Sequence, residues 1–252
     1  MNDFTKRFAC LSAVCLILFG WVPARAEFVI DDFGAPDAAN LEVLVIRLND
    51  LDPSLVETPS PPIPDTPILG GERDILLDVI GVSRWTSFVG EIGDGTFLFN
   101  SSSPGTAATI QYDGDDDDPD GPPAALTNFE GLGGLDLTVY GPAFELEFLS
   151  IDGGQSQSTD IQIEVHSSTS TALFIGTIDD SAGPTTYLAP FAAFGNLGVF
   201  SDVTSIEFRI NPSGAQDVDF ELATISIVPE PSTMALCVLG LVCLLGWAWR
   251  RK

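Results

Sequence analysis

Between its two hydrophobic ends this 252-residue chain has no cysteine and no lysine, and it has one histidine. Cys10 and Cys15 lie in the N-terminal apolar stretch and Cys237 and Cys243 in the C-terminal one. The body from 27 to 228 therefore has no disulfide framework and must be held by its core alone. Roughly 200 residues suffice for that, because a domain of this size buries most of its apolar surface. Without lysine, the only cations of the body are Arg47, Arg73, Arg84 and Arg209, set against 34 acids, for a formal charge of −30. Such a surface repels nucleic acid and anionic lipid and favours cations, cationic partners or neutral glycans. The same acidity also serves solubility alone. A single histidine, His166, excludes a two-histidine metal site, and no serine sits in a G-x-S-x-G elbow. No glycine-rich stretch opens a helix, so nucleotide binding is not indicated.

The ends supply what the body lacks. Lys6 and Arg7 precede an apolar run from Phe8 to Val22, and Ala24-Arg25-Ala26 forms an A-x-A site before Glu27. These are the n-region, h-region and cleavage site of a signal peptide covering 1–26, which implies Sec export and removal by signal peptidase. Val14 ahead of Cys15 is too large for a lipoprotein site. At the other end, Val228-Pro229-Glu230-Pro231-Ser232 leads into Met234–Trp249, 16 residues without charge, and then Arg250-Arg251-Lys252. As a helix, 234–249 would span roughly 24 Å, a short transmembrane segment against a hydrocarbon core of ~30 Å. Trp247 and Trp249 suit an interfacial belt, and Arg250, Arg251 and Lys252 hold the end cytoplasmic by the positive-inside rule. Pro229 and Pro231 keep the chain extended just before the span.

This order of break, span and basic cluster resembles the PEP-CTERM sorting signal of Gram-negative bacteria. The resemblance implies that an exosortase handles the Pro-Glu-Pro site and that the protein passes through the inner membrane to the cell envelope, surface or extracellular matrix. It covers about a tenth of the chain.

The body, 27–228, reads as short strands punctuated by Gly, Pro, Asp and Ser. The clearest period-two stretches put Phe144, Leu146 and Phe148 against Glu145 and Glu147. Ile161, Ile163 and Val165 stand against Asp160, Gln162 and Glu164. Ile206, Phe208 and Ile210 stand against Glu207 and Arg209, and Val218, Phe220 and Leu222 against Asp217, Asp219 and Glu221. Each buries one face. Less regular strands are expected at 27–33, 74–81, 85–91, 96–100, 107–112, 135–140, 171–178 and 185–191, while 41–48 suits a strand or a short helix. Pro53, Pro59, Pro61, Pro62, Pro64 and Pro67 make 53–67 a surface strap or loop. The fold class is all-β: an antiparallel β-sandwich or jelly roll, flanked by the signal peptide and the C-terminal transmembrane helix. Asp31-Asp32-Phe33-Gly34, Gly70-Gly71-Glu72-Arg73-Asp74, Tyr112-Asp113-Gly114 and 131–138, in that order, resemble the bodies of PEP-CTERM exported proteins, which implies a carbohydrate-binding-like sandwich.

The densest chemistry is Asp113, Asp115, Asp116, Asp117, Asp118 and Asp120, six carboxylates within eight residues. A hard cation such as Ca²⁺ would relieve their repulsion. Asp116, Asp118, Asp120 and Gly121 satisfy D-x-D-x-D-G, but Thr127 replaces the glutamate expected at the twelfth position and Pro119 interrupts. A solvated acidic turn is the competing explanation. By analogy with such sandwiches, Asp31 or Asp32 would share a second cation with Asp219. Glu145 with Glu147, or Asp217 with Glu221, has the look of a glycosidase pair, yet such spacing is what any acidic strand face produces, and no catalytic set emerges. Where exposed, Trp85, Tyr112, Tyr140 and Tyr187 would be the residues to stack on a sugar ring, although Trp85 also suits the core. The expectation is a non-enzymatic surface or matrix protein associated with extracellular polysaccharide. The alternatives are a Ca²⁺-dependent carbohydrate-binding module and a purely structural acidic surface protein.

Overall fold

Alternating hydrophobic and acidic residues leave the body few ways to fold except as strands with one dry face. The computed structural model describes residues 27–34, 42–47, 54–57, 68–71, 73–79, 87–93, 95–101, 105–114 and 131–229. The chain divides into a compact unit, Glu27–Val228, and a second unit of Met1–Ala26 with Pro229–Lys252, of which only Pro229 is described. The expected signal peptide, 1–26, and the apolar 234–249 segment thus fall outside the described residues. Among the described residues no helix is long and apolar enough to cross a membrane.

Thirteen strands are described: β1 (Phe28–Asp31), β2 (Glu42–Arg47), β3 (Ser54–Glu57), β4 (Asp74–Val79), β5 (Ser87–Gly93), β6 (Thr96–Ser101), β7 (Thr106–Tyr112), β8 (Ala143–Asp152), β9 (Ser158–Ser167), β10 (Thr171–Asp179), β11 (Thr185–Pro190), β12 (Val203–Ile210) and β13 (Asp219–Val228). They form two antiparallel sheets. One runs β11-β8-β13-β6-β5-β2, with β1 pairing the C-terminal half of β13, and the other runs β10-β9-β12-β7-β4-β3. The sheets face each other: Phe144 of β8 meets Phe208 of β12 with ring centroids 5.4 Å apart. Gly90 of β5 lies so close to Leu77 of β4 that a β-carbon there would press on the leucine methyls. This is a β-sandwich with one core.

The four clear alternations settle as expected. Phe144, Leu146, Phe148, Ile161, Ile163, Val165, Ile206, Phe208, Ile210, Val218, Phe220 and Leu222 are all buried. On β13 the register then shifts between Glu221 and Thr224, so that Ile225 and Ile227 turn inward after the alternation would have sent them out. Residues 42–47, open between strand and helix, form an edge strand. Two expectations need correction. The 135–140 strand is a 3₁₀ turn, Leu137–Val139, joined to the sheet by a single bridge from Leu135 to Val203. Its cause is Asp136, whose carboxylate accepts from the backbone N–H of Thr138 at 2.9 Å and from its hydroxyl at 2.6 Å, a cap that outcompetes the strand ladder. Within the proline-rich stretch, the proline-free run Ser54–Glu57 is β3, pairing β4 only, as an edge strand next to proline must. The prolines themselves lie outside the described residues.

Candidate functional site

The acidic stretch enters and leaves the sandwich at one point. Gly114, at φ +91°, and Gly131 flank 115–130, and a β-carbon on either would collide with the other's backbone or with the carbonyl of Asp113. Asp113, the first of the expected cation ligands, is buried, and its Oδ2 accepts from Nε2 of Gln111 at 2.8 Å. Asp115, Asp116, Asp118 and Asp120 lie outside the described residues, so the structure places one of that set, at the root.

The second expected cation pair is not brought together. Asp31 stands opposite Ile225 on β13, six residues and roughly 20 Å of strand from Asp219, which pairs with Asn100 and Asp152. Asp31 already has its cation. Nη1 of Arg73 donates to Oδ1 at 2.9 Å and to Oδ2 at 2.7 Å, both side chains being buried. The Tyr112 hydroxyl donates to Oδ2 at 2.7 Å, and the Phe33 N–H to Oδ1 at 2.8 Å. The guanidinium lies 5.2 Å from the Phe33 ring centroid. The cluster ties β1 of one sheet to β7 of the other. Tyr112 is therefore a core residue rather than an exposed sugar platform. Its burial first, and the Asp31 carboxylate next, push the phenol well above its usual value. Of the other aromatics proposed for stacking, Tyr140 lies on Phe28 at 3.8 Å and Tyr187 packs against Phe174 at 6.2 Å, while Trp85 is outside the described residues.

On the outer face of the six-stranded sheet the polar residues of β9 and β12 are half-buried, while those of β7 and β4 beside them are buried. Register sets Leu173, Glu164, Glu207, Gln111 and Asp74 side by side across β10, β9, β12, β7 and β4. The adjacent row is Ile175, Gln162, Arg209, Thr109 and Leu76. Glu164 and Glu207 oppose each other directly, which costs the sheet stability unless a proton or a ligand intervenes. Burial pushes the Glu207 carboxyl up, Arg209 draws it down and Glu164 adds to the rise. His166 joins them, with Nε2 3.4 Å from Oε1 of Glu164 and Nδ1 3.2 Å from the Thr171 hydroxyl. Desolvation lowers its pKa, against the pull of Glu164. On the other sheet Glu145 is raised by burial, then by Glu27 and Glu147. Asp219, which accepts from the Ser101 N–H at 3.0 Å, is raised mainly by burial. Asp217 sits in a turn at φ +59°, before β13 begins, so it does not share a strand face with Glu221.

These shifts fix a pH dependence. Glu207, Glu145 and Asp219 hold protons more tightly folded than unfolded, so their ionisation penalises the fold, and stability increases as pH falls through their raised values toward the ordinary ones, 4.5 for glutamate and 3.8 for aspartate. His166, whose pKa is lowered from 6.5, works oppositely and loses stability as pH falls through its window. Glu207→Gln is therefore expected to flatten the rise in melting temperature of Glu27–Val228 as pH falls toward 4.5, measured against the parent; an unchanged slope would refute it.

The sorting segment starts where the fold stops. Val228, last residue of the central strand β13, pairs with Ala143, and Gly141 packs so tightly on the Val228 carbonyl that no side chain fits. Pro229 follows, and Glu230, Pro231, Ser232, Arg250, Arg251 and Lys252 lie beyond the described residues, as do Ala24 and Ala26 at the front. A β-sandwich passing directly into a Pro-Glu-Pro break defines the class: an exported body with a C-terminal sorting segment. Residues 228–252 match the family described as the PEP-CTERM protein-sorting motif, and the chain carries that motif. No curated protein matches it. Among solved structures, similar chains include a family 11 carbohydrate-binding module from Clostridium thermocellum (12% identity, TM-score 0.34, covering 81% of this chain and 95% of that one). A mutant of the family 29 module CBM29-2 gives 12% identity and a TM-score of 0.33, over 61% of this chain and 85% of that one. An exo-β-agarase gives 12% and 0.39 over 82% of this chain, a match that spans a quarter of the agarase chain (25%).

Proposed function

We propose that this chain is a non-enzymatic component of the cell surface or extracellular matrix. In this reading the Sec route exports it, signal peptidase cleaves after Ala26, an exosortase acts at the Pro229-Glu230-Pro231 segment, and the body associates with extracellular polysaccharide. The observation that carries the reading is the sorting motif joined without a spacer to the central strand of a self-contained sandwich. It is supported by the outer face of the six-stranded sheet, where half-buried Gln162, Glu164, Glu207 and Arg209 hold hydrogen-bonding groups in fixed register, as a hydroxyl-rich ligand requires. With −30 on the body, neutral or cationic glycans suit it better than anionic ones.

The test is a titration of Glu27–Val228, a compact unit with its own core, against the host's extracellular polysaccharide, with Ca²⁺ and then with chelator. Saturable binding in both conditions, weakened by Arg209→Ala with Gln162→Ala, is the expected result. Binding lost in chelator would favour the second reading, a Ca²⁺-dependent module. Its motivation is the buried Asp113 at the root of the acidic stretch, and its mark would be a Ca²⁺-raised melting temperature abolished by neutralising Asp116, Asp118 and Asp120. No binding in either would leave a purely structural acidic protein, and hydrolysis of the glycan, abolished by a single carboxylate substitution, would overturn the non-enzymatic reading.

A further inference from the structure

Charge is spread unevenly over the body. Although 34 acids fall between 27 and 228, residues 167–178 and 181–201 carry no charged side chain at all, and only Asp179 and Asp180 separate the two runs. The fold gathers them on one flank, because β10 ends one sheet, β11 ends the other, and the chain between them is short. On this flank the side chains of Ile175 (68%), Leu197 (60%), Leu188 (52%) and Leu173 (44%) are exposed, four of the six large exposed hydrophobics among the described residues. An uncharged, partly apolar flank on a body of −30 marks an interaction surface.

The edge strand indicates what docks there. Five strands pair on one side only, and β1 among them is four residues long and ends in Asp31. β2 carries Glu42 and Arg47, β3 is four residues long and ends in Glu57, and β11 is six residues long and ends in Pro190. Each has a device that discourages pairing with another chain. β10 has none over Thr171–Ile178: it is nine residues long, its only charge is the terminal Asp179, and it pairs with β9 through nine consecutive residues without a bulge. Among the described residues its other edge has no strand beside it.

We infer that β10 is the interface through which two copies of this chain associate, by antiparallel pairing of β10 with β10 about a two-fold axis. A two-fold interface must be complementary to itself, and this strand is. With the axis at its central residue, Ile175 faces Ile175 of the second copy, Leu173 faces Thr177, and Asp179 faces Thr171, so that no acid opposes an acid. A cationic partner would be drawn instead to the acids carried elsewhere on the body. The pairing joins two six-stranded sheets edge to edge and rests on charge distribution and edge geometry, independently of any glycan. Because each copy carries −30, association strengthens as salt screens the bodies from each other.

The experiment is sedimentation equilibrium of Glu27–Val228 over a range of salt concentrations, with three variants. The wild type is expected to form a dimer that tightens with salt. Ile175→Asp, at an exposed position, should weaken it by about tenfold or more, since it places like charges face to face. Leu188→Asp adds the same charge on the edge of the other sheet and should leave the dimer intact. Ile175→Cys, in a body without cysteine, should cross-link as a disulfide dimer on mild oxidation, because opposed residues of antiparallel strands lie about 4.5–5.5 Å apart at Cα. A wild type that stays monomeric at all salt concentrations, equal weakening by the two aspartate variants, or an Ile175→Cys variant that fails to cross-link would each overturn the interface.

Discussion

Replacing Arg73 by methionine is expected to remove about 3–5 kcal/mol from the stability of the body, the range found when one member of a buried ion pair is deleted. The size follows from what is left behind. Asp31 is fully buried, and both of its oxygens are arranged around Nη1 of Arg73, so the variant retains a carboxylate with only the Tyr112 hydroxyl and the Phe33 N–H as donors. Two neutral hydrogen bonds do not offset the desolvation of a charge. The arginine also lies over the Phe33 ring, so truncation removes packing together with charge. For a domain of about 200 residues, a loss of this size should lower the melting temperature by roughly 6–20 °C. Arg73→Met with Asp31→Leu, which removes both charges, should recover a large part of the loss, and this double variant separates an orphaned charge from a mere cavity. Chemical denaturation of Glu27–Val228 measures both; a loss below about 1 kcal/mol in the single variant would show that the pair does not bear on stability.

That cluster was beyond the reach of the sequence, and the reason is physical. Asp31, Arg73 and Tyr112 stand far apart in the chain, the latter two 42 and 81 positions from the first, and only the closure of one sheet over the other makes them neighbours. The sequence offers only that Arg73 is one of four arginines in so acidic a body. Tyr112 misleads for a related reason: β7 is buried on both faces, so its residues show no alternation from which a side could be assigned. Strands with one wet face behave differently. In β8, β9, β12 and the first half of β13, charged or polar residues at every second position announce the wet face, and the apolar residues between them are the core. The sandwich class and the sorting motif were legible because one rests on period and the other on the order of local features. Sheet order, the bulge that turns Ile225 and Ile227 inward, and the capped turn at Asp136 depend on contacts that period does not encode. The uncharged flank was present in the letters as two long runs without a charge, yet it became a surface only when β10 and β11 were seen to end the two sheets side by side.

The second large effect is expected at Phe144, whose truncation to alanine should cost about 3–5 kcal/mol. Its ring meets Phe208 of the facing sheet at 5.4 Å and Phe191, Phe194 and Phe200 at 5.0, 5.9 and 6.1 Å. Three of these partners belong to the 3₁₀ turns Phe191–Phe194 and Leu197–Ser201, which have little hydrogen-bonded ladder of their own and depend on the aromatic cluster for their place. Phe144 itself sits on β8 between β11 and β13, so the backbone beneath the lost ring is fixed on both sides and cannot collapse into the void. Leu188→Ala, at an exposed site on the neighbouring strand, should stay within about 0.5 kcal/mol and serves as the control. The consequence extends to sorting. Phe144 pairs with Ile227, one residue before the sorting motif, so a loosened β8 releases the end of β13 that keeps Val228 in the sheet. Limited proteolysis of the Phe144→Ala variant is therefore expected to show new cleavage between Thr224 and Val228, where the parent is resistant. If the variant unfolds at the parent's temperature and keeps that resistance, the aromatic cluster does not hold the strand to which the sorting segment is joined.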